Sequence, residues 1–192
     1  MQNTKKMPVQ ILVLGAILTA LVVIMQLLGA FIRLGPFSIS LVLIPIVIGA
    51  AKCGPKVSTW LGLVFGVVVL LTDAAAFLAI SVPGTVVTVL AKGMACGLAA
   101  GLICKYLGKN HPYWSTILAA VACPVVNTGV FLLGCRLFFF ETVKGWGVVA
   151  GFENVGQYMI LGLVGANFLF EMASNVILSP IIVRILNVGK KN

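Results

Sequence analysis

The sequence predicts an all-α, polytopic membrane protein: a single domain over residues 1–192 with six transmembrane helices and both termini cytoplasmic. Three observations carry that reading. The 192 residues are 61% hydrophobic and only 9% charged, with a mean hydropathy of +1.17, whereas a soluble domain carries roughly 25% charged residues. The apolar residues form long runs, and a bilayer-spanning helix uses about 20 of them. Six such spans consume nearly the whole chain and leave no room for a soluble catalytic or nucleotide-binding domain. The basic residues, finally, recur singly or in pairs between the runs, the spacing of topology signals.

The first helix is expected over about 9–31, behind Lys5 and Lys6. Its apolar stretch is longer than the core of about 7–15 residues in a signal peptide, so it reads as a retained span. Arg33-Leu34-Gly35-Pro36 ends it, because proline lacks the amide donor and glycine favours a turn. Helix 2 is expected over 37–51, short and containing Pro45, and ends at Lys52-Cys53-Gly54-Pro55-Lys56. Helix 3 follows over 57–80, with Ser81-Val82-Pro83-Gly84 as the next turn. Helix 4 covers 85–106, the polar Leu107–Pro112 stretch follows, and helix 5 spans 113–140 with Pro124 inside. Glu141–Gln157 reads as a Gly-rich connection, and helix 6 runs over 158–186 into a basic tail.

With the N-terminus inside, the cytoplasmic segments receive Lys5, Lys6, Lys52, Lys56, Lys105, Lys109, Arg184, Lys190 and Lys191, the majority of the 13 basic residues. Arg33, Arg136 and Lys144 fall outside, and Lys92 lies within a span. This bias matches the positive-inside rule. The net charge of +9 is therefore read as topology and not as a nucleic-acid surface. The five cysteines (Cys53, Cys96, Cys104, Cys123, Cys135) form no C-x-x-C pair and mostly sit in apolar runs, where free cysteine behaves as a small hydrophobe. No metal site and no cofactor are expected. The chain has no P-loop, H-E-x-x-H or G-x-S-x-G sequence. His111 sits alone before Pro112, and Asp73 is the only aspartate, so no aspartyl dyad can form. The chain is not read as an enzyme.

Polar groups at membrane depth are the main candidates for function. Lys92 lies about two turns below the start of helix 4. Asn167, Glu171 and Asn175 recur every fourth residue and share one face of helix 6. Helix 5 adds Asn127 and Arg136. Charges in hydrocarbon cost several kcal/mol unless paired or hydrated, so they face the bundle interior. Two readings stand side by side: a structural Lys92–Glu171 ion pair, or a solute pocket. The loop segments around residues 33–40, 73–85 and 141–158 gather aromatics, among them Phe138, Trp146 and Tyr158. Most fit an interfacial belt, but such rings, Tyr158 included, also make the apolar wall a flat solute needs. The Lys144–Gly156 stretch, with glycines at 145, 147, 151 and 156, has the composition of a lid. Small residues four apart also form stripes: Ala16-x-x-x-Ala20, Gly62-x-x-x-Gly66 and Gly93-x-x-x-Gly97-x-x-x-Gly101. A stripe of this kind permits close helix approach, either within the bundle or against a separate membrane subunit.

Six spans, the Ala16-x-x-x-Ala20 stripe, the run from Leu34 through Pro36 and Pro45 to Ala50, then Gly54-Pro55, Lys92-Gly93 and Pro124-Val-Val-Asn127-Thr-Gly129 resemble an S component of energy-coupling-factor (ECF) transporters. The likeness covers most of the chain and is greatest to the riboflavin-type grouping. It implies a substrate-binding subunit of an ABC importer in the bacterial plasma membrane. Such a subunit captures a water-soluble vitamin or precursor from outside and works with a transmembrane coupling protein and two ATPase subunits. It further implies that Ala16 and Ala20 dock on the coupling protein. Arg33, Lys92 and Arg136 would suit an anionic solute such as pantothenate, with Glu171 offsetting Lys92, so no single vitamin is specified. Read without the resemblance, the same residues also fit a solitary carrier in which Lys92 and Glu171 exchange protons, or an assembly protein with no ligand.

Overall fold

The computed structural model describes residues 8–30, 33–34, 37–38 and 41–188. Lys5, Lys6, Lys190 and Lys191, and the side chain of Arg33, lie outside the described residues. The elements are α1 (Val9–Gly29), a two-residue pair β1 (Arg33–Leu34) and β2 (Phe37–Ser38), α2 (Leu43–Cys53), α3 (Pro55–Thr72), α4 (Ala75–Leu78), α5 (Val82–Leu107), α6 (Pro112–Phe138), α7 (Phe140–Val149), α8 (Val155–Gln157), a π-helical stretch Tyr158–Leu163, and α9 (Gly165–Val188). The described structure is all-helical apart from that small hairpin. Four helices (α1, α3, α5 and α6) are long and apolar enough to cross a bilayer, and the bent pair Val155–Leu163 with Gly165–Ser179 makes a fifth.

Besides shifts of one to three residues, among them α5 starting at Val82 inside the expected 81–84 turn, four boundaries differ from the sequence expectation, each for a local reason. Helix 2 begins at Leu43 and not at Phe37, because Arg33 pairs with Ser38 and Leu34 with Phe37 around the Gly35-Pro36 turn sequence. Helix 3 stops at Thr72. The Asp73 carboxylate there accepts from Thr72 Oγ1 at 3.2 Å and from Gln26 Nε2 at 2.8 Å, and such side-chain bonding competes with helix continuation. The Gly-rich 141–157 connection folds largely as α7, with Val143 and Gly147 buried. Packing there outweighs glycine's poor propensity. Gly151, at φ 79°, supplies the left-handed turn that ends the excursion. Helix 6 is interrupted, bending by 47° between Leu163 and Gly165.

The core is organised around α2. Every residue from Val42 to Ala50 is buried, and α2 touches α1, α3, α5, α6 and α9. A helix apolar on all sides belongs in an interior. Its 11 residues reach roughly 16 Å, about half the hydrocarbon thickness. Beside it, α3 and α5 interlock through their glycines. Gly62 lies on the Gly93 backbone, Gly66 on Val89, Gly97 on Ser58 and Gly101 on Pro55. The two glycine stripes are thus an internal seam, where absent side chains let the backbones touch. Ala16 and Ala20, by contrast, are exposed on α1.

Candidate functional site

The centre of the bundle is filled unevenly. The α2–α3 turn at Gly54 brings Gly49 against Leu61, so α3 climbs beside α2 in the opposite direction. By about Phe65, α3 has passed the N-terminal end of α2. Above that level lies a cavity of about 70 Å³. Phe65, Val69 and Asp73 of α3 form one wall. Thr85, Thr88, Val89 and Lys92 of α5, and Asn127, Thr128 and Phe131 of α6, form two more. Val164, Asn167, Phe168 and Glu171 close the far side, and Gln26 enters from α1.

Each wall follows from helical spacing. Thr85, Thr88 and Lys92 recur at intervals of three and four on α5, as Asn127 and Phe131 do on α6. The roof is aromatic. Phe77, placed by the short α4, meets Phe131, Phe139 and Trp146 edge-on, with centroids 5.6, 5.0 and 5.4 Å away. Such edge-to-face contacts fix ring orientation.

The polar groups in the cavity are unevenly satisfied. The Lys92 ammonium sits 5.6 Å from the Phe65 centroid and 5.2 Å from that of Phe131. Cation–π contact of this kind stabilises a charge but does not neutralise it. Glu171 is nearby and 3% exposed, yet among the described residues it makes no ion pair with Lys92 within 4.0 Å. The Glu171 carboxylate instead accepts from Asn167 Nδ2 at 3.1 Å, with Asn127 beside it. Among the described residues, Thr88 Oγ1, Asn127 Oδ1 and Asn167 Oδ1 are buried without a hydrogen-bond partner. Orphaned polar atoms of this kind are rare in native interiors.

Four of the sequence candidates, Lys92, Asn127, Asn167 and Glu171, therefore meet on one cavity. The other two do not join them. Arg136 is exposed, its guanidinium 4.0 Å over the Phe140 ring. Tyr158 does not line the cavity; it packs in the apolar cluster that also holds the roof rings Phe77, Phe131 and Phe139, its ring 5.5 Å from that of Phe152. Asn175 continues the α9 polar face below the cavity, donating to the Glu171 carbonyl at 3.2 Å and accepting from Ser179 Oγ at 3.4 Å. The sequence reading passed over Gln26, Thr85 and Thr88. A glutamine deep inside a largely apolar span was the available signal for Gln26, which is 1% exposed.

A cavity under aromatic rings, with the Lys92 ammonium and several polar atoms unpaired among the described residues, has the composition of a small-solute site. The ECF transporter, substrate-specific component family profile matches residues 10–183. The chain belongs to that family. ECF substrate-specific components are multi-pass plasma-membrane proteins that serve transport. Among curated proteins, the pantothenic acid transporter PanT of Lactococcus lactis subsp. cremoris (strain MG1363) is 30% identical over 209 aligned positions, covering 100% of both chains. No solved structure matches the chain. Within this ECF component, α1 carries two different surfaces: buried Gln26 at the cavity, and exposed Ala16 and Ala20 two to three turns earlier. A shallow groove between α1 and α3, lined by Gly15, Ala16, Thr19 and Trp60, adjoins the alanines.

Proposed function

We infer that this ECF component captures a small water-soluble organic anion of the vitamin class in the cavity between α3, α5, α6 and α9, with pantothenate the first candidate. The observation carrying this reading is the Lys92 ammonium, held in an aromatic-walled cavity without a counter-ion among the described residues within 4.0 Å. A solute carboxylate supplies that counter-charge, and the phenyl rings of Phe65, Phe77 and Phe131 cover its apolar part. The printed name of the Lactococcus relative supports pantothenate. Lys92, Asn127 and Asn167 are the proposed solute-contacting residues, with Glu171 holding the two asparagines, while Arg136 and Tyr158 act outside the cavity.

In the proposed topology the chain crosses six times, with the β1–β2 hairpin and α2 together making the second crossing. Both termini then lie in the cytoplasm and the cavity opens toward the exterior. Energy comes from a separate transmembrane coupling protein and two ATPase subunits, and the exposed Ala16 and Ala20 provide the flat contact for the coupling protein. The decisive experiment is a thermal-shift screen of B vitamins and their precursors on the purified chain. A ligand present at 100 times its Kd stabilises by about 2.7 kcal/mol. A raised melting temperature with pantothenate is expected; no shift with any compound would overturn solute capture. Pantothenate uptake into liposomes by the chain alone, driven by a pH gradient and lost in Glu171→Gln, would instead establish the proton-exchanging carrier.

A further inference from the structure

The cavity's unpaired atoms are not of mixed kind. Two of the three are amide oxygens, Asn127 Oδ1 and Asn167 Oδ1, which can only accept hydrogen bonds. Their orientation is set by a neighbour. Asn167 Nδ2 donates to Glu171 Oε1 at 3.1 Å, and because the two ends of an amide point in different directions, the Asn167 oxygen faces away from that contact. Asn127 stands at the same carboxylate, and its oxygen too is without a partner among the described residues. Glu171 is itself fixed. It is 3% exposed, and its backbone carbonyl accepts from Asn175 Nδ2 at 3.2 Å.

We propose that Glu171 is a positioning residue that locks the two asparagine oxygens toward the cavity, so that the site selects carboxylates carrying hydroxyl donors. The proposal rests on the capture function inferred above and adds a second recognition element to it. Lys92 reads the anion; Asn127 and Asn167 read donors on the remainder of the solute. An apolar carboxylate of the same shape would neutralise Lys92 but leave both amide oxygens desolvated and unpaired. A site built to hydrogen-bond a hydroxyl rejects the analogue lacking it far more strongly than a hydrophobic pocket rejects a missing methylene. Glu171 therefore takes no part as a proton carrier or as a direct ligand.

The test compares three probes on the purified, full-length chain by calorimetry. Pantothenate carries a carboxylate, an amide N–H and two hydroxyls. N-(3,3-dimethylbutanoyl)-β-alanine lacks only the hydroxyls, and panthenol replaces the carboxylate by an alcohol. Wild type is expected to prefer pantothenate to the dehydroxylated analogue by at least about 100-fold. In Glu171→Gln the side-chain amide can donate as well as accept, so the asparagines lose their enforced orientation. The hydroxyl preference should then shrink at least about tenfold. The preference for pantothenate over panthenol should hold or rise, since a negative charge has left the site. A structural role alone would move both ratios together, and that result overturns the positioning role. If wild type binds pantothenate and its dehydroxylated analogue within about threefold, for example because bridging waters serve the oxygens, donor selection is wrong while solute capture stands. If wild type does not bind pantothenate, both the capture of that vitamin and this inference are wrong. Asn127→Leu and Asn167→Leu give the same readout without touching Glu171: each should lower the hydroxyl preference at least about tenfold.

Discussion

Replacing Lys92 by methionine isolates the charge that the proposed function depends on. Methionine keeps an unbranched side chain against Phe65 and Phe131, whose centroids lie 5.6 and 5.2 Å from the ammonium, and removes only the cation. An ion pair at about 4 Å is worth roughly 4 kcal/mol at an effective dielectric of 20. Stripping water from a solute carboxylate offsets part of that, leaving a net loss of about 3 kcal/mol, which corresponds to roughly 150-fold in Kd. Panthenol, which has no carboxylate, should lose far less, so the ratio of the two affinities is the informative quantity. Stability should move the other way. The wild-type ammonium gains about 0.5–2 kcal/mol from each phenyl ring but costs several kcal/mol to hold at membrane depth. Ligand-free Lys92→Met should therefore melt no lower than wild type. Calorimetric titration and melting of the same preparation supply both values. Pantothenate binding within about fivefold of wild type would refute the reasoning, because the carboxylate would then be held elsewhere.

Three further outcomes follow from packing. Gly93→Ala places a methyl group on the Gly62 backbone; overpacking against main chain should cost about 2 kcal/mol or more, despite alanine's better helix propensity, and denaturant titration in mild detergent would show it. Gly129→Ala, with nothing within 4 Å of the added atom, should instead stabilise by about 0.5–1 kcal/mol, and a loss of stability there would contradict the packing described. Ala16→Trp with Ala20→Trp, on the exposed face of α1, should abolish co-purification of the coupling protein while pantothenate still raises the melting temperature. Retained co-purification would reject that face as the docking surface.

Much of the site was legible because helical spacing is a strong signal. Asn167, Glu171, Asn175 and Ser179 recur every fourth residue, and the last three are buried along α9. The same arithmetic separates Arg136 from Asn127. Nine residues at 100° each turn a helix by half a revolution beyond whole turns, and Arg136 is indeed exposed while Asn127 is 5% exposed. The Gln26–Asp73 bond at 2.8 Å joins residues 47 apart in sequence, a tertiary event with no local signature. The extent of α2 was hidden for a different reason: an apolar run reads alike whether it faces lipid or other helices. Only the hairpin pairing of residues 33–34 with 37–38 removes the first part of the expected helix.

That shortening explains why the polar groups are tolerated. A full-length second helix would fill the bundle axis, and Lys92, Glu171 and the two asparagines would then face an apolar helix at a cost of several kcal/mol for each charge. Because α2 ends near the level of Phe65, the same side chains border a cavity, and the surrounding elements line it without filling it. The rings of Phe77, Phe131 and Phe139 do so from above, and the buried run Val42–Ala50 does so from below. The bend at Leu163–Gly165 belongs to the same arrangement, since of the far-wall residues Val164 lies in the break and Asn167, Phe168 and Glu171 follow it. The site is thus a consequence of where helices stop, and its chemistry resides in the residues that this stopping leaves without a packing partner.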